Sequence, residues 1–277
     1  MTLLIKSLEE IATDYDAIVF DQWGVLHNGT SAYAGATEVI EALAEQAKKL
    51  AVLSNSGKRS GPNIARINAM GFNPDYFQTV LTSGEALWQH MKRGRIAQKR
   101  FYPIERTKGD AAEWSLGLNI EFVAFEEAEA ILLMGVPDDQ DETHFIRLWQ
   151  NAQDRNLLVY CSNPDHASPR EKGLVASPGA IAATYEEMTG EVVFYGKPHV
   201  KVFASMQEAL GTERILMVGD SLEHDIAGAK NIGWDSLLVT GGLYAKMFEY
   251  AEPKTTLEDL LRFTGCPAPD FLIHKLS

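Results

Sequence analysis

The chain has 277 residues, 45% of them hydrophobic, and carries 38 acidic against 25 basic side chains, for a formal charge of −13. This length and apolar content predict one large domain or two of moderate size. The acidic balance argues against general binding to nucleic acid or to an anionic membrane surface. A small anionic substrate would therefore need a local cation.

The cysteine content and the N-terminal segment indicate the cellular compartment of the protein. Cys161 and Cys266 are the only cysteines, and their spacing fits neither a disulfide framework nor a zinc site. The first ten residues, "MTLLIKSLEE", lack the basic and apolar regions of a signal peptide, and no later run is long enough to span a bilayer. The sequence thus predicts a reduced, cytoplasmic protein with no membrane partner.

Short apolar runs alternate with stretches of helical periodicity in chain order, which predicts a parallel α/β sheet. The predicted strands are Ala17 to Phe20, Ala51 to Leu53, Arg100 to Pro103, Ala130 to Met134, Leu157 to Cys161, "VVFYG", "ILMVGD" and "SLLVTGG". The predicted helices are "ATEVIEALAEQAKKL", "GPNIARINAMG", "DETHFIRLWQNAQDRN" and "EHDIAGAKNIG".

Polar residues follow several of these strands, where ligands bind in open parallel sheets. They are Asp21, Ser54 with Asn55, Lys197, Gly219 with Asp220, and Thr240 with Gly241. If all the strands lie in one sheet, an acid, a hydroxyl, a lysine and a second acid would share one rim.

The acids of this rim predict a metal and a phosphate site. Asp21, Asp220 and Asp225 would repel one another at close range unless a cation lay among them, and Mg²⁺ suits such oxygen ligands. A phosphate dianion could bind that ion, with Lys197 adding charge and Ser54 a hydroxyl donor. One oxygen of Asp21 would be free to attack phosphorus and form an aspartyl phosphate.

The order of these motifs resembles the haloacid dehalogenase superfamily of phosphohydrolases over most of the chain. Asp21 matches the family's nucleophile, and Ser54 in "SNS" matches the hydroxyl residue that ends the second conserved strand. Lys197 in "GKP" matches the conserved lysine, and "GDSLEHD", with Asp220 and Asp225, matches the acidic metal motif. The resemblance implies a doubly wound, Rossmann-like core and Mg²⁺ as cofactor.

The long interval between Ser54 and Lys197 resembles class IIA members, the nitrophenyl-phosphatase and pyridoxal-phosphatase-like proteins with an inserted α/β cap. By this resemblance the core comprises residues 1–80 and 190–277, and the cap residues 81–189. Asn163 and Asp165 would face the leaving group, with Asn55 as a further substrate contact. Caps of this type often pair, which leaves a homodimer as one expectation.

The family pattern breaks at Trp23, where a second Asp usually serves as general acid and base. The family's metal ligand at this position is the backbone carbonyl, which Trp23 also supplies, so only proton transfer is lost. That loss costs about 10²- to 10⁴-fold in rate and favours leaving groups that need no proton, such as aryl, enol or acyl phosphates. His27 is the predicted replacement, and His224 a second candidate.

Structural interpretations remain for each residue. Asp21 with Gly24 could mark an ordinary turn, and Ser221 or Asp220 could cap a helix. Lys197 could be a solvated lysine, His27 a turn residue and Trp23 a hydrophobic wall. Ser54 and Asn55 could cap a helix, and Asn163 to Asp165 could form an Asx turn.

Together the motifs predict a Mg²⁺-dependent phosphohydrolase acting on a small phosphorylated metabolite. A dehalogenase is disfavoured because it would not use Asp220 and Asp225 as metal ligands. The alternatives are a phosphotransferase, which fits a weakened water step, and a phosphometabolite-binding protein that has lost turnover.

Overall fold

A computed structural model describes residues 2–170, 173–250 and 252–276. The chain divides into two compact units. The first comprises residues 1–54, 61–81 and 197–277, and the second comprises residues 55–60 and 82–196.

The strands, in chain order, are β1 (Leu3–Leu4), β2 (Ala17–Phe20), β3 (Lys49–Ser54), β4 (Phe77–Thr82), β5 (Arg100–Ile104), β6 (Glu121–Phe122), β7 (Ala130–Leu133), β8 (Leu158–Cys161), β9 (Ala167–Arg170), β10 (Gly173–Ala176), β11 (Val192–Phe194), β12 (Ile215–Gly219), β13 (Asp235–Val239) and β14 (Phe271–Ile273).

The helices are α1 (Glu9–Ala12), α2 (Ala36–Glu45), α3 (Ser60–Ala69), α4 (Ser83–Lys92), α5 (Asp110–Trp114), α6 (Glu142–Asp154), α7 (Pro178–Glu187), α8 (Val200–Leu210), α9 (Ala227–Asn231), α10 (Ala245–Phe248) and α11 (Pro253–Thr264). Short 3₁₀ turns occur at Pro74–Tyr76 and Phe125–Glu127, and a π-helical turn at Leu222–Ile226.

The first unit is built on a seven-stranded sheet in the order β1-β14-β13-β12-β2-β3-β4. Strand β2 lies in its interior next to the central strand, β12, and is parallel to β12 on one side and to β3 on the other. All four residues of β2 are buried, as expected for a strand covered on both faces. The strands predicted at Ala17 to Phe20, Ala51 to Leu53, "ILMVGD" and "SLLVTGG" are thus confirmed in one sheet.

The second unit has its own five-stranded sheet, in the order β11-β8-β7-β5-β6, and a separate antiparallel pair, β9 and β10. The strands predicted at Arg100 to Pro103, Ala130 to Met134 and Leu157 to Cys161 all belong to this sheet. These three strands fall within the predicted cap, but the condition that all the strands next to the site residues lie in one sheet is not met. Strand β11, the predicted "VVFYG" strand, pairs with β8 of the second unit.

Each unit has its own hydrophobic core. In the first, Phe20, Leu43 and Val218 belong to a cluster on the central strands and α2. In the second, Trp149 and Tyr185 pack between α6, α7 and the strands. Across the described ranges, no helix combines the length and apolar character needed to cross a bilayer.

The unit borders differ from the predicted cap of residues 81–189. Residues 190–196 lie in the second unit because β11 extends its sheet. Residues 55–60 also belong to this unit, since Arg59 Nε forms an ion pair with Glu85 Oε2 at 2.6 Å. In addition, the Thr82 hydroxyl donates to the Lys58 carbonyl at 2.5 Å.

Candidate active site

Three predicted site residues lie at the carboxyl ends of neighbouring strands in the seven-stranded sheet. Asp21 follows β2, Ser54 ends β3 and Asp220 follows β12. Their strands are in register, with Phe20 opposite both Val52 and Val218. The Asp21 N–H continues the ladder by donating to the Val218 carbonyl at 2.9 Å. The central strands thus hold these residues on one edge of the sheet.

Three carboxylates meet at this edge. Each of Asp21, Asp220 and Asp225 offers an oxygen, and these oxygens lie within 4.8 Å of one another. Lys197 is buried beside them, with its Nζ 2.5 Å from Asp21 Oδ1 and 2.7 Å from Asp225 Oδ1. The structure therefore brings together the predicted nucleophile, lysine and acidic motif.

Lys197 reaches the site by a different route from the predicted one. The sequence placed it at the end of a strand in the same sheet, but β11 belongs to the sheet of the second unit. Lys197 instead lies in the connection that precedes α8. Its side chain is almost fully buried, and its ammonium group is held by carboxylates rather than by solvent. The solvated-turn interpretation of Lys197 is therefore wrong.

The Asp225 carboxylate is fixed by the backbone of its own loop. Its Oδ2 accepts from the N–H groups of Asp220 at 3.2 Å and Ser221 at 3.1 Å. The intervening turn is π-helical, with the Ile226 N–H donating to the Ser221 carbonyl five residues earlier. Ser221 also caps this turn, since its Oγ accepts from the His224 N–H at 3.1 Å. The capping interpretation of Ser221 is observed together with the acidic cluster.

Asp220 lies in a backbone cradle that sequence reasoning missed. The Leu243 N–H donates to Asp220 Oδ2 at 2.8 Å. A Cβ atom added at Gly24 would lie 1.7 Å from that oxygen, and one added at Gly242 would lie 2.4 Å from it. Only glycine fits at positions 24 and 242, where the backbone approaches this oxygen closely. The consecutive glycines of "TGG" after β13 were the available sequence signal.

Asp21 and Asp220 of this cluster have perturbed pKa values. Burial is the main cause that raises the pKa of Asp21, and the Asp225 charge adds to it, whereas Lys197 acts in the opposite direction. Burial, with the charges of Asp21 and Asp225, likewise raises the pKa of Asp220. The two neighbouring carboxylates raise the pKa of Lys197 despite its burial. One ammonium group thus does not offset the charge of three closely spaced carboxylates.

This donor set fits a hard divalent cation. Carboxylate oxygens are the ligands that Mg²⁺ and Ca²⁺ prefer, and here three of them converge beside glycine backbone. A divalent charge would offset the repulsion that raises the pKa values of Asp21 and Asp220.

Trp23 packs on its own loop. Its ring meets His27 edge to face, with centroids 5.7 Å apart and an interplanar angle of 71°. A Cβ atom added at Gly29 would lie 2.2 Å from the indole Cη2, so the ring covers that glycine closely. The side chain is still 46% exposed. The observed contacts of the ring are thus with its own loop, and much of the ring is open.

His27 is poorly suited to the predicted role of proton carrier. Its side chain is fully buried, and its Nδ1 accepts from the Gly29 N–H at 3.1 Å. Its Nε2 has no hydrogen-bond partner among the described residues. Burial, with a smaller effect of the Arg66 charge, lowers the pKa of His27 to about 4. His27 is therefore neutral at pH 7 and lacks an exposed nitrogen from which to exchange a proton.

The remaining predicted substrate residues lie in the second unit and bond to each other. Asn55 Nδ2 donates to Asp165 Oδ1 at 2.7 Å. Asn163 Oδ1 accepts from the Asp165 N–H at 2.9 Å, which forms the Asx turn of the structural interpretation. The Asp165 carboxylate is therefore positioned by Asn55, and Asn163 shapes the turn that carries it.

Comparisons with known proteins agree with this arrangement. A family model described as haloacid dehalogenase-like hydrolase matches residues 18–113, and a second, HAD-hydrolase-like model matches residues 194–263. Two relatives are the 5′-nucleotidase YutF of Bacillus subtilis, 28% identical over 83% of this chain and 88% of its own, and bovine chronophin, 26% identical over 86% and 85%.

A similar fold occurs in a solved haloacid dehalogenase-like hydrolase from Brucella suis. It is 26% identical, with a TM-score of 0.79 over 99% of this chain and 100% of that one. The matched segments contain Asp21 and Ser54 in one model and Lys197, Asp220 and Asp225 in the other. The chain belongs to the haloacid dehalogenase superfamily of hydrolases, in the class that carries an inserted α/β cap domain.

Proposed function

We propose that this protein is a Mg²⁺-dependent phosphatase that hydrolyses the phosphate monoester of a small metabolite through an aspartyl phosphate on Asp21. The observation that carries the proposal is the buried group of Asp21, Asp220, Asp225 and Lys197 at the end of the central strands. A phosphate group matches this site because it needs a cation, hydrogen-bond donors and a nucleophile in one small volume.

The metal would be held by carboxylate oxygens of Asp21, Asp220 and Asp225 and by the backbone carbonyl of Trp23. When bound, Mg²⁺ supplies the positive charge that lets the carboxylates and a phosphate dianion coexist. Lys197 adds its ammonium charge, and the Ser54 hydroxyl would donate to a phosphoryl oxygen.

The first half-reaction proceeds at Asp21. An oxygen of its carboxylate attacks phosphorus, and the bond from phosphorus to the ester oxygen breaks, with the electron pair leaving on that oxygen. In the second half-reaction water attacks the same phosphorus, and the bond to Asp21 breaks to restore the carboxylate and release inorganic phosphate. Fixing Asp21 with Lys197 before substrate arrives lowers the orientational cost of the first attack.

Departure of an alkoxide and attack by water both need proton transfer, which Trp23 cannot provide and which buried His27 is poorly placed to provide. His224, next to Asp225 in the π-helical turn, remains the other predicted carrier. We infer that turnover is fastest with leaving groups that depart without a proton and that the aspartyl phosphate is long-lived.

On the substrate side, Asp165 is proposed to contact the leaving group, in the orientation given by Asn55 and Asn163. The name of the relative YutF, a 5′-nucleotidase, supports a phosphorylated metabolite as the substrate class. A homodimer and a cytoplasmic location stay predictions from the sequence.

The direct test is hydrolysis of p-nitrophenyl phosphate with Mg²⁺, followed by a panel of phosphorylated metabolites. We expect activity that EDTA removes and that Asp21→Asn abolishes. Asp75→Asn, a change of an exposed acid in the 3₁₀ turn at Pro74–Tyr76, is the matched control and should retain full activity. Absence of Asp21-dependent turnover on the whole panel would favour a phosphometabolite-binding protein instead.

A phosphotransferase is the second candidate, and it is favoured by the missing acid and base at Trp23. An alcohol acceptor such as glycerol would then intercept the aspartyl phosphate. Release of p-nitrophenol in excess of inorganic phosphate, only when glycerol is present, would identify transfer. Equal amounts of the two products would identify hydrolysis.

A further inference from the structure

Two large apolar side chains stand exposed next to the buried acids of the first unit. Trp23 is 46% exposed and Leu243 is 63% exposed, whereas Asp220 is buried. The proposed chemistry at the phosphate group gives neither side chain a role. Apolar groups left open beside a reactive centre indicate contact with the organic part of a substrate.

The backbone fixes both side chains at the same carboxylate. The Leu243 N–H donates to Asp220 Oδ2, and the glycines before Leu243 and after Trp23 both approach that oxygen. A Cβ atom added at Gly242 would also lie 2.7 Å from the Gly24 carbonyl oxygen, so the two loops are in direct contact. Leu243 thus belongs to the cradle of Asp220, and Trp23 lies one residue from it.

The indole is held in one orientation before any ligand arrives. It meets His27 edge to face and covers Gly29, where any larger residue would collide with the ring. A ring already fixed by its loop loses little conformational entropy on binding a second ring. Flat aromatic groups pack well against such a ring in offset or edge-to-face geometry.

We propose that Trp23 and Leu243 form the binding surface for an aromatic leaving group, and that aryl phosphates are the substrate class of this enzyme. This inference rests on the proposed phosphatase function. When Asp21 attacks phosphorus, the bond to the aryl oxygen breaks and its electron pair leaves on an aryloxide. That anion departs without a proton and takes one from water afterwards. Trp23 thus occupies the position of the family's proton donor and offers an apolar surface to the aryl group. The aryloxide leaving group needs no proton donor.

The test compares 1-naphthyl phosphate with phenyl phosphate, whose leaving groups differ in ring area but little in acidity. We expect the wild-type protein to prefer the naphthyl ester about two- to tenfold in kcat/KM, the range for one added aromatic contact. Trp23→Ala should remove this preference through KM, with the ratio of the two kcat values unchanged. Trp23→Phe should retain most of the preference, and Leu243→Ala should reduce it.

Phe263→Ala is the matched control, because Phe263 is 89% exposed near the end of α11 and should leave the ratio of the two substrates unchanged. The inference is overturned if wild-type protein shows no naphthyl preference, or if Trp23→Ala retains the full wild-type preference, while Asp21→Asn abolishes turnover. The proposed function fails separately, if wild-type protein hydrolyses neither ester in an Asp21-dependent way. If Trp23→Ala does not fold, Trp23→Leu retains apolar bulk without a flat ring and tests the same point.

Discussion

The two loops that bring acids to the site are built in opposite ways. In the loop after β12, Asp225 accepts two backbone N–H groups, Ser221 caps the π-helical turn and Asp220 accepts from Leu243. In the loop after β2, Gln22 and His27 are buried, and three of their side-chain atoms have no hydrogen-bond partner among the described residues.

This contrast separates two roles. The β12 loop fixes its two acids by backbone hydrogen bonds, and the Lys197 ammonium group pairs with the remaining oxygen of Asp225. This arrangement suits a constant task such as holding charge at the metal site. The β2 loop carries the proposed nucleophile, the open indole of Trp23 and the unsatisfied groups, and it is where the chain departs from the family pattern. We therefore expect substitutions in the β2 loop, rather than in the β12 loop, to change substrate preference and proton transfer.

Substituting one acid from each loop should give different defects. Asp21→Asn removes the nucleophile, and we expect kcat to fall by roughly 10⁴-fold or more at any Mg²⁺ concentration. Asp220→Asn removes only a charge, so raising Mg²⁺ should restore part of the activity, with half-saturation shifted by about tenfold or more. Steady-state rates across a Mg²⁺ titration measure both. Equal rescue of the two variants would contradict the division of roles.

The acids of the β12 loop should also make the metal-free protein less stable at alkaline pH. Burial raises the pKa of Asp220 from 3.8 to about 8 in the folded protein. The folded state therefore holds a proton that the unfolded state has already lost, and stability falls as pH rises through 8. Between pH 7 and pH 9 the free energy of unfolding should drop by about 1 kcal/mol more in wild-type protein than in Asp220→Asn.

Denaturant unfolding in EDTA at the two pH values measures this difference. Asp220→Asn is a close control because its amide oxygen can still accept from Leu243, while the charge is gone. Mg²⁺ should remove most of the pH effect in the wild type, since the ion binds the deprotonated acids. The same pH dependence in both proteins would show that Asp220 is not the group that titrates.

His27 of the β2 loop should matter for stability and not for proton transfer. His27→Gln loses the hydrogen bond from Gly29 and the edge contact with Trp23, at a cost of about 1–2 kcal/mol. Because the imidazole is buried and neutral, rates on aryl and alkyl phosphates should fall by the same factor. Thermal unfolding and the ratio of the two rates measure the effects. A selective loss on alkyl phosphates would restore His27 as the proton carrier.

Much of this architecture could be predicted because the signals are local. Four residues before Asp21 form a buried strand, and Asp21, Ser54 and Asp220 each directly follow or end a strand. The route of Lys197 could not be predicted, since the pairing of β11 with β8 depends on contacts distant in sequence. The segment predicted as one helix through Leu50 ends at Glu45, because Lys49 and Leu50 pair with β2.

The details of the site were less accessible to sequence reasoning. The cradle of Asp220 arises from two loops that meet only in three dimensions, and a glycine pair is too common a signal to identify it. The burial of His27 could not be predicted either, because a histidine in a polar loop with several glycines is expected to be solvated. A motif identifies the residue type, but proton transfer by His27 depends on whether one of its ring nitrogens is exposed to solvent.

The smallest expected effect concerns Gln22, the residue between the nucleophile and Trp23. Its side chain is 1% exposed, and neither amide atom has a hydrogen-bond partner among the described residues. A buried amide without a partner costs about 1–3 kcal/mol, and Leu has a similar volume without that cost. Gln22→Leu should therefore raise the free energy of unfolding by about 1 kcal/mol, measured by urea denaturation. Asp225 gives the opposite case, because it accepts two backbone N–H groups and forms an ion pair with Lys197, so Asp225→Leu should destabilise the protein by several kcal/mol. A destabilised Gln22→Leu would mean that the amide is bonded in solution and that the two loops are equally satisfied.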